Sequence, residues 1–432
     1  MIGIRREDKS RWEKRVPLVP EDVERLTREH GVRFAVEASE TRAYPDKAYA
    51  AAGALVTQDL ADCGIIMGVK EIPPAKLLAD KVYVYFSHTI KGQPANMPAL
   101  RRILELGSTL IDYERIVDDE NRRLVFFGRY AGLAGMIDTL WALGQRLKTE
   151  GIDSPFAKVR TAHEYDDLAH FRREIVAVAE EIRKGGLPAA IRPLICGFAG
   201  YGHVSQGAQE IYDLLPVREI SPEEIASVEP AADICYKVVF REEHLVRRVD
   251  ASRPFELQEY YRQPERYEAD FFRHVPHLSV LVNCIYWEPK YPRLITREQF
   301  AELHSGSPPR LRVVGDITCD IDGAVACTTR ATDPGSPVYV YDPATGATRD
   351  GVAGNGPVVL AVDFLPCELP VDASAYFSKV LAPFIPSLAG ADFSAALEAS
   401  GLPVELRRAT IAYRGELTEP YRYLEQHLHS VK

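Results

Sequence analysis

Leu194-Ile195-Cys196-Gly197-Phe198-Ala199-Gly200-Tyr201-Gly202-His203-Val204-Ser205-Gln206-Gly207 decides the fold. An apolar run reaches two glycines one residue apart, and the stretch that follows, Ala208 to Leu215, has helical spacing. Strand, tight turn and helix N-terminus in that order let backbone approach a pyrophosphate while helix N–H groups face the anion. Gly200 and Gly202 fit the turn and the close approach, and His203 and Val204 open the helix. The spacing departs from the six-residue dinucleotide fingerprint: Ser205 stands where Gly or Ala is expected, and Gly207 comes two residues later. A glycine-rich turn alone is equally a plain strand-to-helix connection; its place inside a strand-turn-helix-strand unit favours a dinucleotide.

Downstream, Val217 to Ile220 reads as the next strand, and its tip is where an acidic side chain binds the ribose 2'-hydroxyl and repels a 2'-phosphate. Ser221 sits there, with Arg218 close by and Glu219 of undecided direction, which leans toward NADPH over NADH. Further strands are expected at Ile234 to Phe240, Leu278 to Tyr286 and Leu311 to Ile317. Between two of them, Arg241 to His274 is long for an α/β connection and rich in charges and aromatics, the composition of a lid, an oligomer contact or, more simply, a solvated helical insertion.

Upstream the same alternation predicts strands at Met1 to Arg6, Val32 to Glu37, Cys63 to Val69, Lys81 to Phe86 and Leu110 to Tyr113, with helices at Pro20 to Glu29 and near Lys47 to Gly53. Gly132 to Thr149 carries the chain onward as a long helix, and Asp167 to Arg183 forms an amphipathic one. The expected fold is α/β: two Rossmann-like domains with a cleft between them, the N-terminal domain completed by the C-terminal segment. Residues 1–135 and 372–432 make the substrate and catalytic domain; 136–371 make the dinucleotide-binding domain, with the insertion at about 241–275. The helix-rich end, Asp372 to Lys432, is too short to stand alone.

The 52 basic and 62 acidic side chains leave a net charge of -10, which argues against broad attraction to nucleic acid or anionic lipid, so an anionic ligand needs a local cluster of cations. No apolar stretch approaches a bilayer span and Met1 leads into a strand, so the expectation is a cytoplasmic protein without a leader. The 7 cysteines are odd in number and lack a C-x-x-C pair, which predicts core thiols, with neither disulfides nor a metal.

Two polar clusters end neighbouring predicted strands, where open α/β sheets bind ligands. Ile65-Ile66-Met67-Gly68-Val69-Lys70-Glu71 ends on a lysine, and Val82-Tyr83-Val84-Tyr85-Phe86-Ser87-His88-Thr89-Ile90-Lys91 carries a histidine. Redox chemistry at a carbon–nitrogen bond needs proton carriers, and a lysine of depressed pKa or a histidine serves near neutral pH. Singly, either is more simply a surface charge; two at adjacent strand ends point to function. Arg5, Arg6, Arg15, Arg122 and Arg123 stand where guanidinium forks could take carboxylates.

Ile4-Arg5-Arg6-Glu7-Asp8, Trp12-Glu13-Lys14-Arg15-Val16-Pro17-Leu18, Gly68-Val69-Lys70, Phe86-Ser87-His88-Thr89-Ile90-Lys91, Ile111-Asp112-Tyr113-Glu114, Tyr130 to Ile137 and Val282-Asn283-Cys284-Ile285-Tyr286-Trp287-Glu288 together resemble the lysine-ketoglutarate reductase domain of the bifunctional aminoadipate semialdehyde synthases. The resemblance runs to about Pro386. Fungal lysine-forming saccharopine dehydrogenases and, more distantly, alanine dehydrogenase and the soluble part of transhydrogenase share the architecture. It implies an NADPH-dependent oxidoreductase of lysine metabolism that condenses lysine with 2-oxoglutarate and reduces the imine to saccharopine. Lys70 and His88 match the acid–base pair, and Arg15 and Arg123 match substrate-carboxylate positions. Glu71, Lys91, Glu114 and Asp320 match charged residues around the site, and Asn283 and Asp316 match cofactor-side loops. The saccharopine-cleaving enzyme that follows in the bifunctional proteins is absent from these 432 residues, which implies a single-activity reductase, free to form a homo-oligomer. The alternatives are an NAD-dependent saccharopine dehydrogenase, an alanine dehydrogenase-like enzyme and a non-catalytic nucleotide-binding subunit. Arg241 to His274 and Gly202 to Gln209 look more like the NADPH-using branch.

Overall fold

The computed structural model describes residues 1–306 and 308–428, and the last four residues of the expected C-terminal segment lie outside them. It divides into two units, one of 1–127 with the chain from Pro370 onward, the other Gly128–Leu369.

In the first unit, strands β1 (Ile2–Ile4), β2 (Phe34–Glu37), β3 (Leu55–Thr57), β4 (Ile65–Met67), β5 (Val82–Tyr85) and β6 (Thr109–Asp112) form a parallel sheet in the order β3-β2-β1-β4-β5-β6. The strand order reverses between β1 and β4, and the carboxyl ends there carry Arg5 to Asp8 and Gly68 to Glu71. Helix Pro20–His30 shows how the local sequence acts: proline at its first turn, Glu21 and Asp22 at the positive end of its dipole, Arg28 in the last turn, and Gly31 at φ +65° closing it. Its Val23 and Leu26 are buried in the sheet's core. The closing segment is not only helical: Thr410–Tyr413 pairs antiparallel with β6, and Glu416–Leu417 extends that edge.

In the second unit, β7 (Leu194–Ala199), β8 (Val217–Glu219), β9 (Cys235–Phe240), β10 (Val246–Arg248), β11 (Tyr267–Ala269), β12 (Val280–Asn283), β13 (Val313–Asp316), β14 (Val338–Tyr341), β15 (Thr348–Asp350) and β16 (Val358–Leu360) form two sheets. The large one runs β15-β14-β16-β13-β12-β7-β9-β8, parallel except that β14 runs against both of its neighbours. The strand beside β7 is therefore β9, not β8. The insertion is not a solvated helix: β10 and β11 form an antiparallel hairpin, and Leu245, Val246, Tyr260, Tyr267 and Phe271 join this unit's core.

Helix Gly128–Thr149 starts earlier than its apolar pattern suggests and lies within the second unit. It packs backbone to backbone on helix His203–Tyr212: a Cβ on Gly132 would stand 1.9 Å from the Val204 carbonyl oxygen, and one on Gly207 2.1 Å from that of Arg129. The late glycine of the turn motif thus serves helix packing, while Ser205, fully buried, accepts a hydrogen bond from Gln209 at 2.9 Å. Asp138 of the long helix is also fully buried; its carboxylate oxygen accepts from the Ala162 N–H at 2.7 Å. Burial and neighbouring Glu368 hold the Asp138 carboxyl well above its usual range, and burial pushes Glu368 up to about 8.

Candidate active site

The reversal point of the first sheet collects opposite charges under little solvent. Glu7, its side chain 3% exposed, accepts from the N–H groups of Val69 at 2.7 Å and Lys70 at 3.0 Å, which fixes the β4 tip to the β1 tip. Burial dominates its titration: against the opposing charge of Arg5 and both backbone bonds, and helped by Glu13, it lifts the Glu7 carboxyl to about 7.

The raised Glu7 carboxyl makes stability depend on pH. Between its ordinary 4.5 and about 7 the folded protein keeps a proton that the unfolded chain releases, so stability is present below 4.5 and is lost as pH rises through 7. At about 1.4 kcal/mol per pH unit the window is worth roughly 3 kcal/mol. Glu7→Gln should remove that slope. Urea midpoints at pH 5 and 8 check it, and equal losses in wild type and variant would show that Glu7 titrates normally.

Lys70, partly buried, ends β4. Burial first and then the Arg15 guanidinium lower its pKa, with Glu71 and Glu13 acting the other way. Beside it, Glu71 and His88 form a pair, Oε1 to Nδ1 2.7 Å. Burial alone would raise Glu71, but the hydrogen bond and charge of His88, with Lys70, bring it down to about 2. Lys9 approaches the other Glu71 oxygen at 3.2 Å. His88 has φ +50°, a strained backbone for a residue with a Cβ, and its ring stacks on Phe86 at 6.2 Å while its carbonyl accepts from Asn96 at 3.0 Å. This tip thus holds a lysine biased toward its neutral form and an imidazole oriented by a carboxylate.

The arginines differ from a simple carboxylate clamp. Arg15 is buried and already grips Glu13, Nε to Oε1 2.8 Å, with its guanidinium 4.4 Å over the Phe127 ring. Arg123 is ion-paired with Glu114. Lys91 is exposed in the turn after His88. Asp112, which accepts from the N–H groups of Ser87 at 3.1 Å and Glu114 at 2.8 Å, anchors the two segments that flank the site. Glu7, Glu13 and Asp112 were hidden from sequence reasoning because their importance lies in burial and cross-strand partners, although all three fall inside the motif segments.

In the second unit Gly200 has φ +96°, where a Cβ would press Ile285 at 3.1 Å, and the space beside Gly202 is open. A cavity of about 450 Å³ lies against this turn, walled by Tyr201, Tyr260, Trp287 and Tyr291. Glycines at a helix N-terminus beside an aromatic-walled hollow fit a dinucleotide. Asn283 and Asp316 end adjacent strands and are buried, the Asn283 amide donating to Asp316 at 2.9 Å. Burial raises Asp316 to about 6, against bonds from Thr328 and Asn283; neighbouring Asp320 pushes it the same way as burial. This pair braces the strand ends. Ser221 follows β8, the outer strand, so the position beside the glycine turn belongs to the residue after β9, Arg241; chain order and sheet order differ here. Among the described residues no cluster suited to a metal ion is present, no disulfide joins the cysteines, and no helix is long and apolar enough to cross a membrane.

The family model described as alanine dehydrogenase/PNT, N-terminal domain, matches residues 3–134, and the C-terminal domain model of the same family matches 247–420. An alpha-aminoadipic semialdehyde synthase of Arabidopsis thaliana is 38% identical over 98% of this chain and 41% of its own length. The mitochondrial alpha-aminoadipic semialdehyde synthase of Mus musculus is 35% identical over 99% of this chain and 48% of its own. The chain thus spans less than half of these relatives. A saccharopine dehydrogenase [NAD(+), L-lysine-forming] of Neurospora crassa is 27% identical, with 82% of each chain covered. Among solved structures, an L-alanine dehydrogenase superposes with a TM-score of 0.62 at 16% identity over 100% of this chain and 99% of its own, a likeness of fold.

Proposed function

Because the chain belongs to the alanine dehydrogenase/PNT family, we propose that it joins the ε-amine of lysine to the ketone of 2-oxoglutarate and reduces the resulting imine to saccharopine, with NADPH as reductant. The observation that carries the reading is the β4 and β5 tips: a lysine whose ammonium is disfavoured, beside an imidazole held by a carboxylate. When bound, the dinucleotide supplies a hydride; the side chains supply protons and position.

Lys70, biased toward the neutral amine, takes the proton that the substrate ammonium must lose before its nitrogen can attack the ketone. His88, with Nδ1 on Glu71, gives a proton to the departing hydroxyl of the carbinolamine, so that water leaves and the imine forms. Glu71 holds the ring in place through these events. Each proposed substrate arginine already holds a carboxylate of the chain, so a substrate carboxylate must share Arg15 with Glu13 or displace Glu114 from Arg123. The glycine turn, with His203 and Val204 at the helix start, and the strand-end residues Asn283, Asp316 and Asp320 are assigned to the cofactor side.

Loss of absorbance from NADPH and from NADH, each with lysine plus 2-oxoglutarate, tests substrates and cofactor together. Oxidation is expected with this pair and not with pyruvate plus ammonia; turnover only with pyruvate and ammonia would make the protein an alanine dehydrogenase-like enzyme instead.

A further inference from the structure

We propose that Arg241 selects the cofactor by binding the 2'-phosphate of its adenosine ribose, an assignment that rests on the dinucleotide reading above. Sheet order is the starting point. The Gly200 N–H donates to the Phe240 carbonyl at 3.0 Å, so the residue that leaves β9 emerges beside the glycine turn. Adjacent strands lie about 4.8 Å apart, which puts Ser221, beyond the outer strand β8, roughly 10 Å from β7.

The other charges along this edge are already engaged. Arg218 donates to the Tyr236 hydroxyl at 3.0 Å, and Glu219 is ion-paired with Lys237 at 3.0 Å, a lysine that also bonds Asp213. Arg241 differs. It is exposed, it makes no ion pair among the described residues, and its guanidinium lies 4.6 Å over the ring of Tyr201, the residue between the two glycines. Its backbone N–H is tied to His244 at 3.0 Å, which fixes where the side chain starts. A planar fork stacked at the rim of an anion-binding turn, on a chain of net charge -10, suits a phosphate dianion. Glu242, the nearest acid that could instead take a 2'-hydroxyl, accepts from the Tyr261 hydroxyl at 2.6 Å and is held in the cavity wall.

Calorimetric titration of NADP+ and NAD+ into wild type, Arg241→Gln, Arg241→Lys and Ser221→Ala tests the assignment without reference to turnover. Wild type should bind NADP+ more tightly, and Arg241→Gln should weaken NADP+ by about tenfold or more, with NAD+ changed by less than about twofold. Arg241→Lys should keep part of the preference and Ser221→Ala all of it. An unchanged NADP+ to NAD+ ratio in Arg241→Gln, its collapse in Ser221→Ala, or a wild type that prefers NAD+ would overturn the role of Arg241 and leave the dinucleotide site standing. A wild type that binds neither nucleotide would remove that site and the proposal with it.

Discussion

Lys70→Met is expected to lower turnover with lysine and 2-oxoglutarate by about 10²- to 10⁴-fold, the range of a lost proton carrier, and to raise the unfolding temperature. The two effects share one cause. Burial and Arg15 disfavour the Lys70 ammonium, so protonation below its ordinary pKa of 10.5 weakens the folded state, and a methionine of similar shape removes that penalty. His88→Gln should cost turnover too, but with a loss of acid resistance. Glu71, down at about 2 partly through His88, contributes stability that is present above 4.5 and is lost as pH falls toward 2. The double variant should be little worse than the poorer single one, since the two residues serve successive steps of one reaction whose rate the slower step sets, and its affinity for NADP+ should stay within about twofold of wild type. Steady-state rates, calorimetry and thermal scans on the same preparations give all of these. A double variant with wild-type turnover would refute both proton roles.

Gly132→Ala and Gly207→Ala should each destabilise the second unit by about 3 kcal/mol or more. In an ordinary helix the same change gains about 1 kcal/mol, so the expected sign is set by packing alone. The obstructing atoms are the carbonyl oxygens of Val204 and Arg129, which belong to helix backbones and cannot rotate aside. Once the helices have been forced apart by one methyl, the second has less left to disturb, so the double variant should lose less than the sum of the singles. Urea denaturation measures this, and a variant as stable as wild type would mean that the helices have slack. Because helix His203–Tyr212 begins at the glycine turn, the same variants should bind NADP+ more weakly.

The alternation of apolar runs located most strands of both sheets, and the polar strand tips named Lys70, Glu71 and His88. What escaped depends on relations that a linear reading does not contain. Val217 to Ile220 precedes Ile234 to Phe240 in the chain, yet the later strand lies inside, so Ser221 follows the outer strand and Arg241 follows the strand beside β7. Glu13 reads as a surface charge until Arg15 closes on it, and Asp138 meets Glu368 only through the folded unit. Short pieces were also lost: β3 is an edge strand whose Leu55 is exposed, so no buried apolar run marks it, and Thr410–Tyr413 sits in a stretch whose composition reads as helix. The insertion looked solvated because its tyrosines are spread among charges, and three-dimensional structure was needed to show Tyr260 and Tyr267 turned into a core.

The pairing of β6 with Thr410–Tyr413 has a consequence for synthesis. When the ribosome has made β6, the partner for its open edge is still some 300 residues away, which at 5–20 residues per second is a wait on the order of tens of seconds. The second unit, being one uninterrupted stretch, can fold in that interval. A nascent chain stalled before residue 410 should therefore resist protease within Gly128–Leu369 and be cut near β6, whose bare ladder is also where two such chains would stick.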